Sequence, residues 1–343
     1  MSVKIKDIAE LAEVSPGTVS KALNNKGYIA DDTRQKVLKA ATELGYVHKS
    51  NKNNNDEYKK VCILFNNRMD NVIGNPFYGE VIHGVEESLS SFKYQTIFKS
   101  LSGDFKKDVL IINELKNDPM LNGILYTGYN LDDHELLMYI KQKDIPIVLI
   151  DNDKLDFRMD CIVNNDFEGA YSMIKSLIEL GHENIGFISG PLSHLSFKKR
   201  YNGYLEALKN ANVKLKKSLV RIIPSDRFNI YDSAEVVEDM VSNSKVKPTA
   251  IFTTNDEMAI GAMNKLIKLG YDIPDDISVA GYDGTQLGQQ LIPSLSSVYV
   301  NKREMGLMAG MRLHQLINNI MIEPVKIVLS VKVKMSESVK RLR

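Results

Sequence analysis

The stretch VSPGTVSKALNN, residues 14–25, places a serine, a proline and a glycine directly before a regular apolar pattern. Ser15 is a favourable N-cap, and Pro16 suits the first helical position, where its missing N–H costs nothing. At 100° per residue, the apolar face consists of Val19, Ala22 and Leu23. The opposite face carries Gly17, Ser20, Lys21 and Asn24. The stretch therefore predicts a short helix that begins at Pro16 and exposes bare backbone at Gly17.

The flanking residues predict two further helices. Upstream, the apolar residues at helical spacing are Ile5, Ile8, Leu11 and Ala12. Downstream, a second apolar stripe consists of Val37, Ala40, Ala41 and Leu44. Asp31 and Asp32 precede this stripe, at the end of the helix that favours carboxylates. Since Glu13 and Val14 leave only a tight turn between the first two helices, the pattern describes a helix-turn-helix domain.

The composition is that of a globular protein. The 343 residues suit two or three domains, and 43% are apolar. Cys62 and Cys161 each lie in a short apolar run, so we expect buried thiols and no metal or cofactor. No signal-peptide pattern or membrane-length apolar run occurs, so we expect a cytoplasmic protein without membrane contact. Residues 1–60 hold 11 Lys and Arg against 8 Asp and Glu, which fits a solvated surface as well as a nucleic-acid partner.

From Val61 onward, short apolar runs alternate with amphipathic stretches. The predicted strands are VCILF, YQTIF, GILYT, IPIVLI, IGFIS, TAIFTT and ISVAGY. The predicted helices are FYGEVIHGVEESLS, FEGAYSMIKSLIELG, RYNGYLEALKNA, DEMAIGAMNKLIKLG and REMGLMAGMRLHQLI. The alternation predicts an α/β fold with parallel sheets covered on both faces. No phosphate-binding glycine loop, nucleophile elbow or His/Cys ligand cluster interrupts it, which argues against an enzyme.

Polar side chains follow three of the predicted strands. IPIVLI is followed by Asp151, TAIFTT by Asn255, and ISVAGY by Asp283. Because ligands of open parallel sheets bind beyond the carboxyl ends of the strands, the three together predict one ligand cleft. Each alone could equally be a helix cap or a loop residue, and for Asn255 alone the cap is the better explanation.

Residues 5–46, IKDIAELAEVSPGTVSKALNNKGYIADDTRQKVLKAATELGY, resemble without a gap the DNA-binding headpiece of LacI/GalR transcription regulators. The resemblance implies that the second helix enters the major groove of DNA. The positions implied to face base edges are Pro16, Gly17 and Lys21, and those implied to contact phosphates are Thr18, Ser20 and Asn24. Tyr28 matches a position that often reaches the DNA. Since Gly17 has no side chain to read a base, much of the polar contact with DNA would come from Lys21. Lysine contacts bases and phosphates alike, so either partner is equally expected.

The sequence after Tyr46 departs from this family, in which a hinge helix with a minor-groove leucine usually follows. Residues 47–65 read VHKSNKNNNDEYKKVCILF, with no proline after Val47 and no leucine before Leu64. The asparagine-rich run favours a loop, so leucine wedging into the minor groove is not expected. We therefore predict a headpiece at 1–47, a flexible linker at 48–60, and an effector-binding and dimerisation domain at 61–343.

The rest of the chain resembles, in order, the two-lobed periplasmic-binding-protein-like body of the same regulators. The matching stretches are GNPFYGEVIHGVEESL, LIELGHENIGFISGPLSHLSFKKRYNGYLEAL, TAIFTTNDEMAIGAM and DISVAGYDGTQLGQQLIPSLSSV. The resemblance implies crossovers near residues 162, 293 and 323. One lobe would comprise about 61–162 and 294–323, and the other about 163–293 and 324–343.

The effector ligands implied by this resemblance are Asp151, Arg200, Asn255 and Asp283. Phe77 and Phe228 would line the cleft or, equally, pack in the core. Arg200 would point into the cleft and donate two bonds to ligand oxygens, or else form a surface ion pair; folding would depend little on it in either case. Such a set of groups suits the vicinal hydroxyls of a sugar or nucleoside.

The sequence thus predicts a transcription regulator, a repressor in the commonest form of the family, that is switched by a small metabolite. The C-terminal SVKVKMSESVKRLR lacks the leucine heptad of a tetramerisation helix, so we expect a homodimer on a pseudo-palindromic operator. The main alternative is a small-molecule receptor without a DNA function, and the second is an α/β enzyme.

Overall fold

A computed structural model of the chain describes residues 4–23, 29–44, 59–66, 76–128, 134–153, 159–224 and 232–342. The chain divides into two compact units, residues 1–57 and 58–343. Three predicted site residues, Asn24, Tyr28 and Phe228, lie outside the described residues, as does the predicted linker apart from Lys59 and Lys60. Within the described ranges, no helix combines the length and the apolar character needed to cross a membrane.

The N-terminal unit contains three helices, α1 (Ile5–Leu11), α2 (Pro16–Leu23) and α3 (Asp31–Glu43). α2 begins at Pro16 as predicted, and the Ser15 hydroxyl accepts a hydrogen bond from the N–H of Thr18 at 3.1 Å. Glu13 turns the chain between α1 and α2 with φ 54°. The helices share a core of Ile8, Ala9, Ala12, Val19, Ala22, Val37, Ala40 and Ala41. The helix-turn-helix prediction is confirmed.

The first lobe of the body is a six-stranded parallel sheet. Its strands are β1 (Lys60–Asn66), β2 (Gln95–Ser100), β3 (Leu121–Gly128), β4 (Ile147–Ile150), β5 (Asp160–Asn164) and β11 (Lys326–Leu329). Its helices are α4 (Pro76–Ser91), α5 (Phe105–Asn117), α6 (His134–Lys141) and α12 (Lys302–Ile317). The strand order is β11–β5–β4–β3–β1–β2, with every pair parallel. α4 and α12 cover one face, and α5 and α6 cover the other.

The second lobe repeats this design. Its strands are β6 (Ile185–Ser189), β7 (Val220–Ile222), β8 (Ala250–Thr253), β9 (Ser278–Asp283), β10 (Ser296–Tyr299) and β12 (Lys332–Lys334). Its helices are α7 (Asp166–Glu179), α8 (Leu195–Asn210), α9 (Asp232–Asn243), α10 (Asp256–Lys268) and α11 (Gln286–Gln290), with a 3₁₀ turn at Lys217–Leu219. The order is β12–β10–β9–β8–β6–β7, in which β12 runs antiparallel to β10. The predicted α/β architecture is confirmed.

The three crossovers between the lobes fall later in the chain than predicted. β5 belongs to the first sheet, so the first crossing follows Asn164 rather than residue 162. β10 belongs to the second sheet and β11 to the first, so the other crossings follow Tyr299 and Leu329, not residues 293 and 323. The correction has a simple reason: SSVY and KIVL are short and only partly apolar, and each becomes a strand because a neighbouring strand offers it hydrogen bonds.

Candidate DNA-binding and effector sites

α2 presents its predicted contact residues on the surface of the N-terminal unit. Pro16, Gly17 and Lys21 are exposed, and Thr18 and Ser20 are half-buried. The hydroxyl of Thr18 also lies 2.9 Å from that of Ser15. The opposite side of α2 carries Val19 and Ala22 into the core. The outer side is therefore polar and accessible from its first turn onward.

Gly17 has no internal reason to lack a side chain. Among the described residues, a Cβ at this position would meet only the Ser15 hydroxyl, at 3.7 Å, which is an ordinary van der Waals contact. A glycine inside a helix is less favourable than alanine by up to about 1 kcal/mol. The folding of the N-terminal unit therefore does not explain the glycine. An external molecule that approaches the backbone closely would explain it, because such an approach requires a position without a side chain.

Three of the predicted effector ligands converge between the lobes. Asp151 follows β4 in the first lobe, and Asp283 ends β9 in the second. Both have positive φ angles, 56° and 113°, which non-glycine residues adopt mainly where the surroundings enforce them. Arg200, from α8, approaches Asp283 with 3.5 Å between Nη1 and Oδ1, and its charge also acts on Asp151.

Arg200 is expected from the sequence either to point into the cleft or to form an ion pair on the surface, and its surroundings differ from both expectations. The residue is 3% exposed, so it lies neither in an open cleft nor on the surface. Its Nε and Nη2 lie 2.9 and 2.8 Å from Oδ1 of Asp166, and its Nη1 donates to the carbonyl of Thr254 at 2.5 Å. The guanidinium carbon lies 3.7 Å from the ring centroid of Tyr282. Because breaking a buried charge pair is strongly destabilising, the expectation that folding depends little on Arg200 is corrected.

Two of the other predicted ligands, Asn255 and Phe77, have partners within the protein. Asn255 caps α10, since its Oδ1 accepts a hydrogen bond from the N–H of Met258 at 2.8 Å. Phe77 is 8% exposed in the core beneath α4 and meets the ring of Tyr78 edge-on, with 5.2 Å between centroids. Asn255 thus caps a helix and Phe77 packs in the core, while the effector contacts suggested for the two residues stay predictions.

Sequence reasoning missed two polar bridges between the lobes. The Ser196 hydroxyl donates to Oδ1 of Asp151 at 3.1 Å. Lys199 Nζ lies 2.6 and 2.7 Å from the two carboxylate oxygens of Asp153. Ser196 precedes Arg200 by one helical turn on α8, so helical spacing alone could have identified it as a cleft residue. Asp153, two residues beyond Asp151, gave no comparable signal.

Burial dominates the electrostatics of the cleft. It raises the pKa of Asp151 to about 7, with the charge of Asp166 adding to the rise and Arg200 opposing it. It also raises the pKa of Asp283 well above its ordinary value, although Arg200 opposes the rise. Burial, together with the charges of Arg200 and Lys199, lowers the pKa of His194 to about 3. These shifts favour uncharged forms, and neutral carboxyl groups can both donate and accept hydrogen bonds with hydroxyls.

Metal ligation has no candidate in the described part of the chain, where no three His, Cys, Asp or Glu side chains are grouped to hold an ion. Cys62 and Cys161 are buried free thiols whose pKa values burial raises. The groups that the structure places between the lobes are the carboxyl groups of Asp151 and Asp283, the guanidinium of Arg200 and the hydroxyl of Ser196.

Sequence comparison connects both units to one family. The profile of the lacI family of bacterial regulatory proteins matches residues 4–49, and that of a periplasmic binding protein-like domain matches residues 174–339. The probable HTH-type transcriptional repressor ExuR of Bacillus subtilis (strain 168) is 32% identical over 346 residues, which cover 99% of each chain. The HTH-type transcriptional repressor PurR of Vibrio vulnificus (strain CMCP6) is 34% identical over 306 residues, which cover 88% of each chain.

Solved structures share the fold. A transcriptional regulator CelR–cellobiose complex is similar with a TM-score of 0.75 at 24% identity, over 98% of this chain and 99% of that one. The lac repressor dimer bound to operator and the anti-inducer ONPF is similar with a TM-score of 0.71 at 22% identity, over 99% and 100%. The alignment with the probable repressor ExuR covers 99% of this chain at 32% identity, so this chain belongs to the LacI family of bacterial transcription regulators.

Proposed function

We propose that the protein is a cytoplasmic, homodimeric repressor that binds a pseudo-palindromic operator through α2. Its operator affinity would change when a small polyhydroxyl metabolite, a sugar or a nucleoside, occupies the cleft between the lobes. One observation supports this proposal above the others. The same chain has a polar exposed side on α2 and a cluster of buried polar groups that both lobes contribute. A two-fold dimer would present two copies of α2 to two inverted half-sites.

The DNA part of the proposal rests on the chemistry of α2. Gly17 offers backbone without an intervening side chain, and Lys21 offers a cation one turn further on the same exposed side. A lysine can bond the O6 and N7 acceptors of guanine in the major groove or a phosphate oxygen. The lac repressor in a similar structure is bound to operator DNA, and DNA as partner also favours the cytoplasm of a bacterium as location.

The effector part rests on the bridges between the lobes. Asp151 accepts from Ser196, and Asp153 accepts from Lys199, each across the cleft. Lys302, buried at the start of α12 in the first lobe, donates to the carbonyl of Asp283 in the second at 2.7 Å. A ligand that competes for these groups would favour one arrangement of the lobes over another, which is the requirement for a switch. The similar regulator CelR is complexed with cellobiose, a sugar.

Gly17→Ala tests the DNA part directly. We expect the variant to fold at least as stably as the wild type, because helix propensity favours alanine, yet to bind a selected operator at least about tenfold more weakly. Fluorescence anisotropy would measure affinity across a salt series, where log K should fall linearly with log salt. The matched control is Gly79→Ala, since Gly79 is also an exposed helical glycine, and no described residue lies within 4 Å of a Cβ there. Wild-type affinity in Gly17→Ala would refute the proposed backbone approach.

A thermal-shift screen tests the effector part. A sugar or nucleoside that binds only the native state should raise the melting temperature, by an amount that grows with concentration. A positive compound should then change operator affinity in the anisotropy assay. A protein that binds such a compound but shows no salt-dependent DNA binding would instead be a receptor without a DNA function.

A further inference from the structure

The guanidinium of Arg200 is already engaged along its edges. The edge formed by Nε and Nη2 faces Oδ1 of Asp166 at 2.9 and 2.8 Å. Nη1 donates to the Thr254 carbonyl at 2.5 Å and lies 3.5 Å from Oδ1 of Asp283. A ligand carboxylate or phosphate normally binds arginine through two parallel N–H···O bonds. Such a pair could form here only by displacing Asp166 or Asp283.

Asp166 is firmly placed. It is the first residue of α7, a 14-residue helix, and it is 1% exposed. The amino-terminal end of a helix stabilises a carboxylate, so the position itself favours an anion. The helix carries Gly169 into contact with Tyr282, the residue on which Arg200 stacks, because a Cβ at 169 would lie only 2.5 Å from the Tyr282 hydroxyl. α7 therefore holds the carboxylate against the guanidinium through its backbone.

The other charges of the cleft leave little attraction for an incoming anion. The carboxyl groups of Asp151, Asp166 and Asp283 all act on the single guanidinium of Arg200. Among the described cations nearby, Lys199 is bound to Asp153, and Lys302 donates to the carbonyls of Asp283 and Val300. An additional negative charge would be taken from water into a site of low dielectric, where each of these cations already has a partner. A hydroxyl group carries no such cost and can donate to a carboxylate.

We propose that Asp166 is an internal anion that occupies Arg200, so that the cleft selects uncharged polyhydroxyl ligands over carboxylates and phosphates. The inference rests on the proposed effector function of the cleft and makes Asp166 its specificity-determining residue. Asp166 acts by holding Arg200, not by touching the ligand, so its removal should expose a guanidinium that binds small anions.

The first test is chemical complementation by sodium formate, with sodium chloride at equal ionic strength as reference. The full chain would be followed by thermal unfolding as wild type, Asp166→Ala and Asp166→Ala/Arg200→Met. We expect formate to raise the melting temperature of Asp166→Ala by about 2 °C or more above the chloride reference, because formate replaces the missing carboxylate. The wild type and the double variant should show no such rise. If Asp166→Ala does not fold, Asp166→Ser, whose smaller side chain leaves room for formate, takes its place.

Two formate results would overturn the proposal. A rise in the wild type equal to that in Asp166→Ala would mean that Arg200 is open to anions already. No rise in the single variant would mean that Asp166 does not occupy an anion site.

A second test measures the thermal shift of the wild type with neutral sugars and with the uronates of the same shape. The pairs are D-galactose with D-galacturonate and D-glucose with D-glucuronate. A larger shift with the uncharged member of a pair supports the proposal, and a larger shift with the uronate overturns it. No shift with any of the four would count against the proposed sugar effector, while the formate result would still decide the role of Asp166.

Discussion

Gly306→Ala should destabilise the first lobe through the close contact of α4 with α12. A Cβ at residue 306 would lie 2.0 Å from the carbonyl oxygen of Val81, and a Cβ at Gly84 would lie 2.1 Å from that of Arg303. Real Cβ contacts are essentially never shorter than 3.0 Å, so the helices would have to separate by about 1 Å. The obstacle is helix backbone, which cannot rotate away as a side chain could.

The magnitude follows from two opposing effects. Overpacking of a well-packed interior typically costs about 1–3 kcal/mol, and an obstacle made of backbone places this case at the upper end. The better helix propensity of alanine returns up to about 1 kcal/mol. The net loss should be about 2 kcal/mol, which lowers the melting temperature of the compact unit of residues 58–343 by about 3 °C. Because the charge of Asp151 acts on Tyr78 at the start of α4, displacing this helix should also weaken any effector response.

Thermal and urea unfolding of the full chain, followed by circular dichroism, would measure the loss. The matched control is Gly79→Ala in α4, the helix that Gly306 contacts, because among the described residues nothing lies within 4 Å of a Cβ at position 79. The control should be neutral or stabilising. A Gly306→Ala protein as stable as the control would refute the argument, since it would mean that α4 and α12 can separate without cost.

Three further outcomes are expected. Lys21→Ala should weaken operator binding by about 1–3 kcal/mol and relax the preference at one base pair, as anisotropy on operator variants would show; an equal loss on random DNA would make Lys21 a phosphate contact. Arg200→Ala should lower the free energy of unfolding in urea by about 3–5 kcal/mol, because Asp166 would stay buried without its counter-ion; a loss below about 1 kcal/mol would contradict this. Asp151→Asn should flatten the dependence of stability on pH between about 4 and 7. The pKa of Asp151 is raised from 3.8 to about 7 on folding, so its contribution to wild-type stability is present below pH 4 and lost as the pH rises through 7. A difference between variant and wild type that is constant over this interval would contradict the shift.

The N-terminal unit could be predicted almost completely because its signals are local. Ser15 and Pro16 specify where α2 begins by satisfying or omitting backbone N–H groups of the first turn. The apolar stripes of the three helices have the 3.6-residue period, so each helix can bury only one face. The outward direction of Gly17 and Lys21 follows from the same geometry and needs no tertiary information.

The alternation of strands and helices in the body could be predicted, but the partners of its charged side chains could not. The sequence indicated that Asp151 and Asp283 would lie at strand ends, because buried parallel strands are near-continuous apolar runs. It did not indicate that Asp166, 34 residues before Arg200, would bind that guanidinium. Asp166 follows β5, whose sequence DCIVN was not recognised as a strand, so its place beside the cleft was not apparent.

The sequence by itself therefore determined the three helices of the N-terminal unit and the alternation of apolar strands with amphipathic helices in the body. Only the tertiary structure decided which charged groups become partners, as in the Arg312–Asp160 pair, whose residues lie 152 positions apart and are joined at 2.6 Å. It also decided that Gly84 and Gly306 lie where two helices touch. The physical reason is that helix and strand patterns depend on neighbours within a few residues, whereas an ion pair or a close helix contact depends on how distant segments pack.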